Sequence, residues 1–170
     1  MKTTLLKGDC LHELHYVDAN SVDLIIADLP YNTTNCVWDS MIDMSELWVH
    51  YKSVRKPNAA VILFSQVPFN IVLGASNLEE LRYEWIWEKT TATGHLNANR
   101  MPMKAHENIL VFYDRLPPYN PQKTTGHTPV NGSTKHQEVG AINGKTQSGQ
   151  PVCGSTERLT RTVLVLVQVT

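Results

Sequence analysis

Four consecutive residues, Asp28, Leu29, Pro30 and Tyr31, stand where the apolar run "VDLIIAD" ends. A carboxylate, a main-chain carbonyl followed by a stiff proline ring, and an aromatic ring are together suited to gripping a planar base that carries an amino group. The exocyclic amine of such a base is a poor nucleophile, because its lone pair is delocalised into the ring. Two acceptors, the Asp28 carboxylate and the Leu29 carbonyl, can take its two N–H groups. That favours a tetrahedral nitrogen whose lone pair points at an electrophile. Tyr31 would stack on the base face, a contact worth about 1–3 kcal/mol. A base handled this way has to leave its duplex.

Such a group needs a rigid platform, and the sequence predicts one. Residues 22–28 are nearly all apolar and rich in β-formers, which reads as a strand buried on both faces, as in a parallel sheet. Residues 44–56, "MSELWVHYKSVRK", carry Leu47, Tyr51 and Val54 at helical spacing, with cations at the C-terminal end. A turn signal at Pro57 leads into a second buried strand over 59–64. A helix starts near Pro68, weakened by Gly74, and further strands are expected at 83–89 and 107–113. Strands alternating with helices predict an α/β fold with a mainly parallel open sheet. Ligands of such sheets bind beyond the C-terminal ends of the strands, where Asp28 to Tyr31 lie.

The pattern changes after Tyr113. Residues 114–160 are rich in Pro, Gly, Thr, Asn and Gln, with almost no apolar periodicity, and read as one long irregular region. Residues 161–170, "RTVLVLVQVT", are a strong terminal strand signal. "GAINGKT", residues 140–146, is no phosphate loop: three residues separate Gly140 from Gly144 where four are needed, and no apolar strand precedes it.

Composition narrows the function classes. With 170 residues, 42% hydrophobic and 18% charged, the chain is long enough for one core. No apolar run long enough for a membrane span or a secretory leader occurs, which predicts a cytoplasmic protein with no membrane partner. The three cysteines, Cys10, Cys36 and Cys153, show no zinc spacing, so no metal is expected and the thiols read as reduced, buried or idle. The seven histidines show no metal spacing either. His12 and His15 read as surface helix residues, and Trp38, Trp48, Trp85 and Trp87 as core. The net charge of -1 hides an asymmetry: residues 1–81 carry -5 and residues 82–170 carry +4, so a polyanion would meet the second half.

The chain resembles the amino-methyltransferases of DNA, which methylate adenine N6 or cytosine N4. "DLPY" looks like their catalytic Asp-Pro-Pro-Tyr motif. "KGDCLHEL", "VWD", "LW", "KPNAAVILF", "YEWIWEKT" and "HENILVFY" look like successive blocks of the subgroup whose catalytic motif precedes its cofactor loop. The resemblance covers roughly residues 5 to 125 and implies a methyltransferase-like, Rossmann-like fold. It further implies that Asp28 and Leu29 take the amine hydrogen bonds, with Pro30 stiffening the turn, and that Tyr31 stacks on the flipped base. Asp9 and Cys10 match the block that contacts the adenine of S-adenosyl-L-methionine, with Asp28 near the methionine end. Asp rather than Ser at the first motif position points to adenine. The stretch "TGHLNANRMPMK" and the Gly/Thr-rich loop look DNA-facing, with Arg100, Lys104 and Lys123 reaching phosphates.

Two departures from the pattern matter. Leu29 replaces the first proline, which keeps the carbonyl and loosens the backbone. The glycine-rich cofactor loop, of Phe-x-Gly-x-Gly type, occurs nowhere in the 170 residues. The resemblance therefore divides the chain into a partial catalytic domain at 1–113, a DNA-facing loop region at 114–160 and a terminal strand at 161–170, with the sheet incomplete at the C-terminus. It implies a site-specific DNA adenine-N6 methyltransferase of a restriction-modification kind, in a bacterial or phage-infected cell. Its partners would be double-stranded DNA and a second copy or a complementing methyltransferase chain. The alternative is a non-catalytic remnant that binds DNA or such a partner chain.

Overall fold

β1, Val22–Asp28, forms from the apolar run that the sequence marks, with the bounds expected for it. The structure, a computed structural model, describes residues 2–129 and 154–165. Cys153, the Gly140–Gly144 stretch and residues 166–170 of the expected terminal strand lie outside the described residues. After the short helix α1, Cys10–Glu13, and β1, the order continues with α2, Met44–Val54, then β2, Arg55–Ser65, and α3, Phe69–Ser76. β3, Leu81–Thr93, and β4, Lys104–Phe112, follow. The two-residue strands β5, Lys123–Thr124, and β6, Arg158–Leu159, precede β7, Val163–Val165.

The main sheet has the order β1-β2-β4-β3-β7. β1 runs parallel to β2, β4 runs antiparallel to both β2 and β3, and β3 runs parallel to β7. Four strands therefore point one way and β4 alone points back, giving the mainly parallel α/β sheet that the sequence predicts. The ends of β1, β2 and β3 and the start of β4 share one edge of this sheet.

One face of the sheet carries the core. α2 buries Leu47, Trp48, Tyr51 and Val54, and α3 buries Phe69, Leu73 and Gly74. They pack with Leu29, Val61, Leu63, Leu110 and Phe112, and the Trp48 indole N–H donates to Ser76 Oγ at 2.8 Å. α2 begins at a side-chain cap: the Asp43 carboxylate accepts from the Ser45 and Glu46 amides at 2.8 and 3.1 Å. Losing such a cap costs about 1 kcal/mol. Asp43→Ala is therefore expected to lower the unfolding free energy by that amount, seen as a lower urea midpoint with an unchanged slope, read by circular dichroism.

The structure corrects the expectation that β1 is buried on both faces. Ile25 and Ala27 pack against the core, but Leu24 and Ile26, on the opposite face, are 47% and 60% exposed. β1 is an edge strand among the described residues, and no described helix covers that face. β2 starts earlier than expected, at Arg55. Its register with β1 slips between Arg55 and Ala60, so Pro57, which cannot donate to a ladder, falls in the irregular stretch.

The described residues divide into two compact units, 2–118 with 162–165, and 119–129 with 154–161. In the second, β5 pairs antiparallel with β6, and Lys123 Nζ meets Glu157 Oε2 at 2.7 Å. Arg158 donates to the Thr128 carbonyl at 2.6 Å, and Thr160 Oγ1 donates to the Gln122 carbonyl at 2.7 Å. No described helix is long and apolar enough to cross a membrane.

Candidate active site

β1 delivers Asp28 to the C-terminal edge of the sheet, in register with Phe64 of β2. The next side chain, Leu29, turns into the core and is buried against it. This explains a leucine at this position: the side chain fills core space while its carbonyl stays on the main chain beside Asp28. Tyr31 comes back over the same end, half-buried. Its hydroxyl donates to Asp28 Oδ1 at 2.7 Å, and its ring stacks on Phe69 with centroids 5.2 Å apart and planes 22° from parallel. Phe69 opens α3, just past the end of β2, and is itself buried. Strand end and helix start thus fix the tyrosine from two sides. Burial, then the hydrogen bond and charge of Asp28, then the charge of Glu107, hold the Tyr31 hydroxyl far above its usual titration range. It remains a donor at any physiological pH.

The loop after Tyr31 is organised by Asp39. Its Oδ1 accepts from the Asn32 amide at 2.7 Å. Its Oδ2 accepts from the Thr33 and Thr34 amides at 2.9 and 2.6 Å and from the Thr34 hydroxyl at 2.7 Å. The Thr34 hydroxyl bond, joined by the three amides and opposed by burial, holds the Asp39 carboxyl below its ordinary value of 3.8. A depressed carboxylate keeps its anchoring at neutral pH and loses it as pH falls through the folded-state value, below 3.8.

A polar row continues the edge onto β4. Glu107 pairs with Lys89 of β3 and takes a long 3.5 Å contact from the Gln66 amide. Gln66 Oε1 in turn accepts from Lys104 Nζ at 2.9 Å. Lys89 also lies over the Trp87 ring, 5.5 Å from its centroid, and Trp87 meets Phe64 edge to face. Lys104 thus stands on the same sheet edge as Asp28. Arg100 is exposed in the link from β3 to β4, where the chain turns at Gly94, φ +90, a conformation that favours glycine. Lys123 belongs to the second unit, paired with Glu157.

Asp9 and Cys10 start α1. The Asp9 carboxylate caps that turn, accepting from the Leu11 amide at 2.9 Å. Partial burial, then the Asp9 charge, raises the Cys10 thiol. Burial, then Cys10, pushes Tyr51 up to about 12. Leu11 and Leu14 anchor this segment on the core cluster that also holds Leu29 and Tyr31.

Sequence reasoning places some residues wrongly and passes over others. Trp38 is 72% exposed rather than core, while its neighbour Asp39 is 5% exposed. Cys10 and Cys36 are free thiols, within the reduced, buried or idle reading, and both are exposed. Trp48 is core and His12 and His15 are exposed, as expected. Asp39, Phe69 and Glu107 escape the sequence reading. The only signal for Asp39 is its place in the "VWD" block, and a phenylalanine within an apolar helix carries none.

No protein-family model matches the chain, and no curated protein matches it. Among solved structures, it is similar to the M1.HpyAVI–SAM complex, at 16% identity and a TM-score of 0.46, over 75% of this chain and 57% of that one. It is similar to the PvuII cytosine-N4-specific DNA methyltransferase, at 14% identity and a TM-score of 0.46, over 65% and 49% of the two chains. It is also similar to TTHA0409 of Thermus thermophilus in complex with S-adenosyl-L-methionine, at 15% identity and a TM-score of 0.45, over 68% and 56%. The chain spans about half the length of each of these proteins.

Proposed function

We propose that the chain carries the base-binding half of a DNA amino-methyltransferase that methylates adenine N6 with S-adenosyl-L-methionine. The observation that carries this reading is the bonded pair of Asp28 and Tyr31 at a strand end, with the Leu29 carbonyl between them. Asp28 Oδ1 is held by the tyrosine hydroxyl, which leaves Oδ2 and the Leu29 carbonyl as the two acceptors for one amino group. Tyr31 is backed by Phe69 on one ring face, so an extruded base stacks on the other. Arg100 and Lys104, on the same unit, would supply cations for phosphates, and Lys123 would offer one on the second unit by itself.

S-adenosyl-L-methionine supplies the electrophilic methyl group when bound. Asp28, and the start of α1 at Asp9 and Cys10, are the residues of this chain that would face it. They fit such a ligand in part: the Asp9 carboxylate is already engaged as a helix cap, and no glycine-rich turn for the methionine end occurs in the sequence. That absence is the observation that favours a second reading, a non-catalytic chain that binds DNA or pairs with another methyltransferase chain.

Two measurements test these readings. Calorimetric titration of the 170-residue chain with the cofactor is expected to show no saturation below about 1 mM, since each 1.4 kcal/mol of lost contact is tenfold in affinity. Micromolar binding would show that the chain holds the cofactor by other groups. Incubation with duplex DNA and methyl-tritiated cofactor at saturating concentration, followed by nucleoside analysis, is expected to yield labelled N6-methyladenine. Labelled N4-methylcytosine instead would correct the base, and DNA binding without label would favour the second reading.

A further inference from the structure

The loop from Asn32 to Asp39 is built inside out. Its Trp38 is exposed and its Asp39 is buried, the reverse of what apolar burial alone would give. Three consecutive amides, Asn32, Thr33 and Thr34, converge on one carboxylate, and the Thr34 hydroxyl joins them. Successive main-chain N–H groups turned to one side form a concave anion site. Here the chain fills that site with its own Asp39. The turn starts at Asn32, whose φ of +54 lies in the left-handed region that asparagine tolerates. Asn32 follows Tyr31 directly, so the carboxylate fixes the main chain on one side of the tyrosine while β1 fixes it on the other. Resting on the base-pocket reading above, we infer that Asp39 is the positioning residue of the Asp28–Tyr31 site, holding Tyr31 and the Leu29 carbonyl in register for an extruded base.

Asp39 touches neither base nor cofactor in this arrangement; it acts through the loop. Asp39→Asn keeps the shape and replaces a charged acceptor of four hydrogen bonds by a neutral amide with one acceptor oxygen. Charged acceptors bond more strongly than neutral ones, so the three amides lose most of their common anchor. Tyr31 then keeps Phe69 and Asp28 but loses its main-chain reference.

The probe is a short duplex with one 2-aminopurine opposite an abasic position, a base that is cheap to extrude. Its emission rises when it is extruded. Amide resonances of Asn32, Thr33 and Thr34 are followed in the same proteins. With wild type, emission is expected to rise on binding. With Asp39→Asn, the extruded fraction is expected to fall about tenfold at saturating DNA, with duplex affinity unchanged and the three amide shifts moved upfield. A variant indistinguishable from wild type in emission and amide shifts overturns the inference and leaves the base pocket standing. No rise with either wild type or Asp28→Ala removes the base pocket itself, and the inference with it. If Asp39→Asn does not fold, Thr34→Ala serves: it deletes the hydroxyl bond and keeps the three amide bonds. An intermediate loss of emission supports the role of Asp39, and an undiminished signal overturns it.

Discussion

Asp28→Ala is expected to abolish methyl transfer, lowering the rate by about a thousandfold or more, while DNA affinity stays within a factor of about two. One oxygen accepts from Tyr31 and the other is an acceptor at the strand end. Removing both deletes half of the grip on an amino group and frees the tyrosine hydroxyl. The fold should not suffer, because Asp28 lies exposed at the last position of β1 and contributes nothing to the core. A rate loss with unchanged melting therefore reports on the site. Asp28→Asn separates the parts: an amide oxygen still accepts one N–H, without the charge that strengthens such bonds about twofold. It should keep a measurable fraction of the rate. Equal activity of Asp28→Ala and wild type would sink the assigned role.

The platform for this site was legible because β1 and α2 announce themselves by periodicity. Five apolar residues and a strand-ending carboxylate mark Val22–Asp28, and Leu47, Tyr51 and Val54 mark the buried face of α2. Other features were hidden for identifiable physical reasons. An apolar strand reads the same whether one face or both are covered, so the exposure of Leu24 and Ile26 follows only from which elements pack where. The reversed direction of β4 depends on a short link through Gly94, not on its composition. Within the site, Asp28 and Tyr31 sit three apart, and a strand-to-turn reading brings them together. Phe69 reaches Tyr31, and Lys104 reaches Gln66, from 38 positions away in each case. Such pairs are set by the sheet order and leave no local signal. Asp39 is the instructive case: next to an exposed tryptophan, its burial follows from the amides it collects, not from its own polarity.

The largest stability effect is expected at the other end of the sheet, at Glu80. Arg55 opens β2 and Glu80 precedes β3, and both side chains are buried. Arg55 Nη2 donates to Glu80 Oε1 at 2.8 Å, Asn77 Nδ2 donates to Oε2 at 3.1 Å, and Lys52 Nζ stands 3.3 Å from Oε1. Burial raises the Glu80 carboxyl, but the Arg55 bond and charge, then Asn77 and Lys52, outweigh it and leave the group below its ordinary 4.5. Glu80→Ala strands the guanidinium in the interior, where Arg55 Nη1 already has no hydrogen-bond partner among the described residues. Breaking a buried pair this way costs about 3–5 kcal/mol, read from urea denaturation. Replacing both partners, Arg55→Met with Glu80→Leu, should recover most of that loss, since packed apolar groups carry no desolvation cost. The sign with pH follows from the depressed carboxyl. Its contribution is complete above the unfolded value and disappears as pH falls through the folded one, so wild type should weaken below about pH 4.5. The double variant should lack that share of the acid dependence. A loss of less than about 1 kcal/mol in Glu80→Ala would mean that water screens the pair and that it behaves as a surface contact.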